Sequence, residues 1–207
     1  MRKLTPLLFS IFFALICFSG CGGQQGVETT EESQPYEPPE YIVMEPPQEN
    51  WTLQQLMSVT YICDHRLSHP QSMNALGNDF SLSHYSKLGA SWRLVPAQLC
   101  YRGQGLANVT VVKPHDETML YDLVLLPSTV EVTDREPFVI NGIKMYDTME
   151  EVEAALGENY LYKSEDSISY GEEFGGNEYW FFFEDGKLVH LNLDFSFDID
   201  LPLYQKS

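Results

Sequence analysis

Residues 179–193 read Tyr-Trp-Phe-Phe-Phe-Glu-Asp-Gly-Lys-Leu-Val-His-Leu-Asn-Leu. Aromatic residues favour a pleated, half-buried surface. Asp185-Gly186 between two such runs is a strong hairpin signal, because a type I′ turn needs positive φ at both central residues. From Val189 the chain alternates, with Val189, Leu191, Leu193, Phe195, Phe197, Ile199, Leu201 and Leu203 all apolar. That period of two predicts one buried face and one wet face, with a break near Ser196 because few strands run so long. A two-residue turn at 185–186 pairs Phe183 with Leu188, Phe182 with Val189, Phe181 with His190 and Trp180 with Leu191. Trp180 and Phe182 then face inward. Tyr179, Phe181 and Phe183 share the wet face with Leu188 and His190, which is the candidate partner-binding face. Its competitor is burial of the same aromatics under a second copy of the unit, or under residues 163–177.

Upstream, Thr148-Met149-Glu150-Glu151 reads as a capping box. Met149, Val152 and Leu156 follow at helical spacing, and Gly157 is expected to stop the helix in the left-handed αL conformation. Strands are expected at 138–140 and 167–170. Thr52-Leu53-Gln54-Gln55 opens another short helix in the same way, to about Ser58. Further strands are expected at 97–102 and 105–113, around a type II′ turn at Gly103-Gln104, and at 120–126.

Stretches about 80 residues apart look alike. Residues 74–80 (Asn-Ala-Leu-Gly-Asn-Asp-Phe) match 154–160 (Ala-Ala-Leu-Gly-Glu-Asn-Tyr), Ile62-Cys63-Asp64 matches Ile140-Asn141-Gly142, and 101–106 matches 183–188. A fixed period suggests duplication. The expected fold class is therefore α+β: two tandem units at 51–132 and 133–207, each a short helix or helix pair packed on an antiparallel sheet.

Ile-Asn-Gly-Ile-Lys-Met (140–145), Thr-Met-Glu-Glu-Val-Glu-Ala-Ala-Leu-Gly (148–157) and Phe-Phe-Phe-Glu-Asp-Gly-Lys-Leu (181–188) carry a family resemblance. Together they resemble the β-lactamase-inhibitor-protein-like fold and the small outer-membrane lipoproteins of the SmpA/OmlA type. The likeness covers residues 137–195 well and 51–130 weakly. It implies tandem units that bind other proteins through the sheet, and it specifies fold more than ligand.

The amino terminus reads as an address. Arg2 and Lys3 precede an apolar run over 7–18, short for a membrane span and typical of a secretory signal. Ser19-Gly20-Cys21 resembles the lipobox of bacterial lipoproteins, although Phe18 stands where leucine is usual. The resemblance implies cleavage before Cys21, a lipid on its sulfur, and anchoring on the extracytoplasmic face of the cell membrane. Plain secretion is the other reading. Residues 22–50 hold five prolines, seven glutamates and no Lys or Arg, so residues 21–50 are expected to be a lipidated cysteine and a disordered acidic tether.

The whole chain carries 12 basic and 30 acidic side chains, a net charge of −18; without residues 1–20, which hold Arg2 and Lys3, it is −20. Such a surface repels phosphate backbones and anionic headgroups, which excludes nucleic acid as a partner.

Motifs for catalysis are missing. There is no nucleophile elbow, phosphate-cradling glycine loop or dinucleotide fingerprint. His65 and His69 have i,i+4 spacing, but Pro70 argues against the helix that would bring them together. The acidic residues Asp194, Asp198 and Asp200 lack the loop of a dedicated Ca²⁺ site. Neither metal nor cofactor is expected. Cys63 and Cys100 could form a disulfide in an exported protein, or Cys100 could be a plain core thiol. The sequence thus reads as a non-enzymatic, membrane-anchored lipoprotein that binds an unidentified protein. The alternatives are an inhibitor of an extracellular hydrolase, plugging its target with Asp185-Gly186 or residues 172–177, or a structural component of the envelope.

Overall fold

Eleven strands and three short helices alternate along the described residues: α1 (Leu53–Ser58), β1 (Thr60–Ile62), β2 (His65–Arg66), α2 (Met73–Leu76), β3 (Phe80–Ser83), β4 (Val95–Tyr101), β5 (Gln104–Val112), β6 (Met119–Leu125), β7 (Phe138–Ile140), α3 (Met149–Leu156), β8 (Tyr162–Lys163), β9 (Ser167–Gly171), β10 (Glu178–Glu184) and β11 (Lys187–Asp194). The structure is a computed structural model that describes residues 36–68, 71–83, 94–112, 117–125 and 135–195. Glu37–Ser207 forms one compact unit.

Four two-residue turns shape the described residues. Cys63-Asp64, Arg102-Gly103, Asn141-Gly142 and Asp185-Gly186 all have positive φ at both residues, between 45° and 90°. Their partners across the turn are Ile62 and His65, Tyr101 and Gln104, Ile140 and Ile143, and Glu184 and Lys187. Positive φ at both positions suits the right-handed twist of the strands that each turn joins. The second hairpin turn is therefore Arg102-Gly103, one residue earlier than the expected Gly103-Gln104. The matching landmarks Ile62-Cys63-Asp64 and Ile140-Asn141-Gly142 do share a local conformation.

Both capping boxes form. In α1, Gln55 N–H donates to Thr52 Oγ1 at 3.1 Å and Thr52 N–H to Gln55 Oε1 at 2.9 Å. In α3, Glu151 N–H donates to Thr148 Oγ1 at 3.3 Å and Thr148 N–H to Glu151 Oε2 at 2.7 Å. Gly77 and Gly157 cap α2 and α3 at φ 85° and 86° with ψ −178° and −172°. Positive φ with extended ψ is open essentially to glycine alone. The stop is at the expected glycine, in this conformation rather than αL.

The expected α+β class is overturned. The helices are only six, four and eight residues long, and the chain is mostly β. Eight antiparallel strands form one sheet in the order β3-β4-β5-β6-β11-β10-β9-β8, and a second sheet runs β2-β1-β7. Two pairings join the halves of the sequence. β6 lies against β11, with Leu123 opposite Leu193, and β1 lies against β7, with Tyr61 opposite Val139. Strand edges that would cap separate units are paired with each other instead, which satisfies their backbone groups. The core runs continuously from Leu99, Val109 and Leu123 to Leu193, Phe181 and Tyr170, and includes Leu56, Val152 and Leu156 of the helices.

One extra residue decides which face of β10 is buried. Phe183 pairs with Leu188, as expected, but Phe182 then pairs with His190 and Phe181 with Leu191. Val189 is a bulge, two residues on β11 standing opposite one step of β10. With Leu188 and Leu191 thereby on one face, every side chain of β10 takes the face opposite to the one expected. Tyr179, Phe181 and Phe183 are buried with Leu188, Leu191 and Leu193. β4 and β5 carry an equivalent irregularity, with Leu99 opposite Ala107 and Cys100 opposite Gly105, so that Leu106 is the extra residue.

Residues 41–50, expected to belong to the tether, are a strap on the body. Ile42 N–H donates to the Tyr61 hydroxyl at 3.0 Å, and Tyr41 OH donates to Asp64 Oδ1 at 2.7 Å. Asn141 is 2% exposed and holds the centre: its Oδ1 accepts from Met44 N–H at 2.7 Å, while its Nδ2 donates to the carbonyls of Met44 (3.0 Å) and Ala155 (2.6 Å). Asn159 Nδ2 donates to Pro47 O and Glu49 O at 2.9 and 3.2 Å. Trp51 ends the strap, fully buried, with Nε1 donating to Leu156 O at 2.7 Å. These bonds satisfy main-chain groups that a disordered tether leaves to water.

Candidate functional site

The eight-stranded sheet has a second face, opposite the core. Alternation places Trp180, Phe182, His190, Asn192, Val124, Asn108 and Gln98 there, between buried neighbours such as Phe181, Leu191, Leu123, Val109 and Leu99. The bulge at Val189 puts Val189 and His190 on it together.

At one end this face is aromatic. Trp180 and Phe182, two residues apart on β10, stack with ring centroids 5.7 Å apart and planes 12° apart. His190 lies 4.9 Å from Phe182. On the other side Tyr162 of β8 is 5.3 Å from Trp180, and Phe174, from the loop between β9 and β10, is 6.1 Å from it. Tyr162 and Phe174 remain 41% and 65% exposed, while Trp180, Phe182 and His190 are half-buried. Offset and edge contacts of this kind are the favoured arrangements of aromatic pairs and set the rings side by side as one surface. Ser169, opposite both Tyr162 and Trp180 in the ladder, is fully buried, and its Oγ has no hydrogen-bond partner.

Away from the aromatics the face turns polar. Asn192 pairs with Val124, Asn108 with Gln98, and Asp122 with Asp194. Asp122 Oδ1 also accepts from Thr110 N–H at 2.9 Å. Burial disfavours the charged imidazolium and holds the His190 pKa below its ordinary 6.5. The chemistry on offer is therefore apolar contact flanked by hydrogen-bonding groups, a composition that suits recognition.

Of the face proposed from sequence, only His190 is here. Tyr179, Phe181, Phe183 and Leu188 are core, because the bulge at Val189 brings Leu188 and Leu191 onto one face. Burial drives the Tyr179 hydroxyl pKa upward, and that of Tyr170 likewise. Trp180 and Phe182, assigned inward by the unbulged register, form the site instead. Tyr162 and Phe174 were missed, and their only sequence signal is aromatic residues in short polar surroundings. Cys63 and Cys100 carry buried thiols and do not form a disulfide. Cys63 lies in the β1–β2 turn, whereas Cys100 on β4 hydrogen-bonds Ser83 Oγ at 3.3 Å. Cys100 faces Gly105 across the ladder.

Cys21, His69, Asp198 and Asp200 lie outside the described residues. Among the described residues no His, Cys, Asp and Glu side chains gather in groups of three that could hold a metal, and no helix is long and apolar enough to cross a membrane. No protein family, curated protein or solved structure matches this chain.

Proposed function

We propose that this protein is a lipid-anchored extracytoplasmic lipoprotein that acts as a non-catalytic protein-binding module. The single observation that carries the binding role is the aromatic platform of Trp180, Phe182, Tyr162 and Phe174 on the sheet face opposite the core. Large aromatics on a prearranged surface supply most of the contact energy at many protein interfaces. The lipobox-like Ser19-Gly20-Cys21 supports the anchor.

One feature favours the inhibitor reading as a second choice. Phe174 is 65% exposed in the loop at residues 172–177, beside the platform, where it could enter a concave site. An inhibitor would lower a hydrolase's activity on binding, and a simple binding module would not.

The test compares the wild-type chain with the double variant Trp180→Ser, Phe182→Ser in cross-linking and capture from envelope extracts. A stoichiometric partner held by the wild type and lost by a folded double variant supports the reading. Equal capture by both sinks the assigned face. Fatty-acid labelling of wild type against Cys21→Ala tests the anchor, which fails if both label equally.

A further inference from the structure

The strap is bound in the manner of a peptide ligand. Asn141 contacts both backbone groups of Met44, accepting from its N–H and donating to its carbonyl, as a neighbouring β-strand would. The additional bond from Asn141 Nδ2 to Ala155 O fixes which way the amide points. Tyr61 and Asn159 take the main chain at Ile42, Pro47 and Glu49. The groove is shaped to its occupant as well: a Cβ on Gly157 would stand 2.7 Å from Pro46 Cβ, so glycine alone admits the proline.

Yet the strap is shallowly seated. Ile42 and Val43 are 41% and 63% exposed, and the prolines are only half-buried. Met44 packs against the core and Tyr41 meets the Tyr61 ring edge-on at 5.0 Å, while the rest of the segment is held mainly by main-chain hydrogen bonds to side chains of the body. Being tied to the same chain also gives the segment a high effective concentration over the groove.

We propose that the groove formed by Tyr61, Asn141, Gly157 and Asn159 is a peptide-binding site, filled here in cis, and that its trans ligand is residues 41–49 of a second copy of this chain. The occupant itself specifies the ligand chemistry: an extended segment with an aromatic residue at its start and a Pro-Pro step at its end. A second copy carries that segment unchanged. Exchange of an identical element between copies costs little, because the hydrogen bonds broken in cis form again in trans.

The experiment uses full chains in detergent and a fluorescein-labelled peptide of residues 37–50. A strap-weakened chain, Tyr41→Ala with Pro46→Gly and Pro47→Gly, keeps every groove residue. It should bind the peptide at least about tenfold more tightly than the wild type, whose own strap competes. Adding Asn159→Ala, a partly exposed change that spares the core, should weaken this binding about tenfold by removing two hydrogen bonds. A groove-defective chain, Asn159→Ala with an intact strap, should form heterodimers with the strap-weakened chain, and neither should dimerise alone. The site is overturned if the folded strap-weakened chain ignores the peptide, or binds a scrambled peptide equally well. Peptide binding without heterodimers overturns the second copy as the ligand.

Discussion

Asn141 ties the strap to α3 through one side chain. It occupies a positive-φ turn position (50°), which asparagine tolerates better than most residues, and it is buried with three hydrogen bonds. Asn141→Ala should cost about 3 kcal/mol, from unpaired buried groups and the strained turn together. Asn141→Gly relieves the turn and loses only the amide, so it should be the milder variant. Urea unfolding of the pair separates the two causes, and faster exchange of the Met44 N–H locates the damage. His190 reports on the other face. Its folded pKa lies below 6.5, so between that pKa and 6.5 the unfolded chain binds the proton more tightly. The stability it contributes is complete above pH 6.5 and declines as pH falls toward the folded pKa. Phe182→Ala should let water reach the ring and bring the pKa, followed by NMR, back up toward 6.5. An unchanged value would remove Phe182 as the covering group.

At the scale of elements, a single bulge separates the sequence reading from the structure. Phe181→Ser should destabilise by about 3–5 kcal/mol, since the ring is fully buried between Ile168 and Leu191. Phe182→Ser, one residue away, should cost less than about 1.5 kcal/mol, as expected for a half-buried ring. Chemical denaturation of both decides the register, and the reverse order would restore the unbulged pairing. What was legible follows from local physics. Thr52-Gln55 and Thr148-Glu151 specify their own capping boxes, and Asp185-Gly186 has a conformational preference that needs no neighbours. The bulge has no such signature. Val189 and Leu191 are both apolar, and alternation reads them as one face, whereas the ladder buries Leu188 and turns Val189 out. The strap was hidden for a related reason: proline and glutamate in residues 35–49 signal an unfolded chain, and the side chains that hold its main chain, Tyr61, Asn141 and Asn159, are distant in sequence. The candidate site was legible as a hairpin rich in aromatics, but not as a particular face.

For the whole molecule, the joined sheet makes a thermodynamic claim that two tandem units would not. Leu123 stands between Val109 on β5 and Leu193 on β11, and all three are buried. Unfolding one half would strip the β6 edge of its hydrogen bonds and open this part of the core in the other half. The coupling between halves is therefore large, and Glu37–Ser207 should melt in one cooperative transition. Calorimetry checks this directly, because the calorimetric and van't Hoff enthalpies agree for a two-state domain and diverge for independent units. Leu123→Ala sharpens the test at the junction itself. Losing a fully buried leucine costs about 2–5 kcal/mol, and the cost should lower the single melting temperature without splitting the transition. If the variant instead shows two transitions while the wild type shows one, the β6–β11 seam carries the cooperativity but only marginally. Two transitions in the wild type itself would mean that the sheet is continuous in geometry and not in energy.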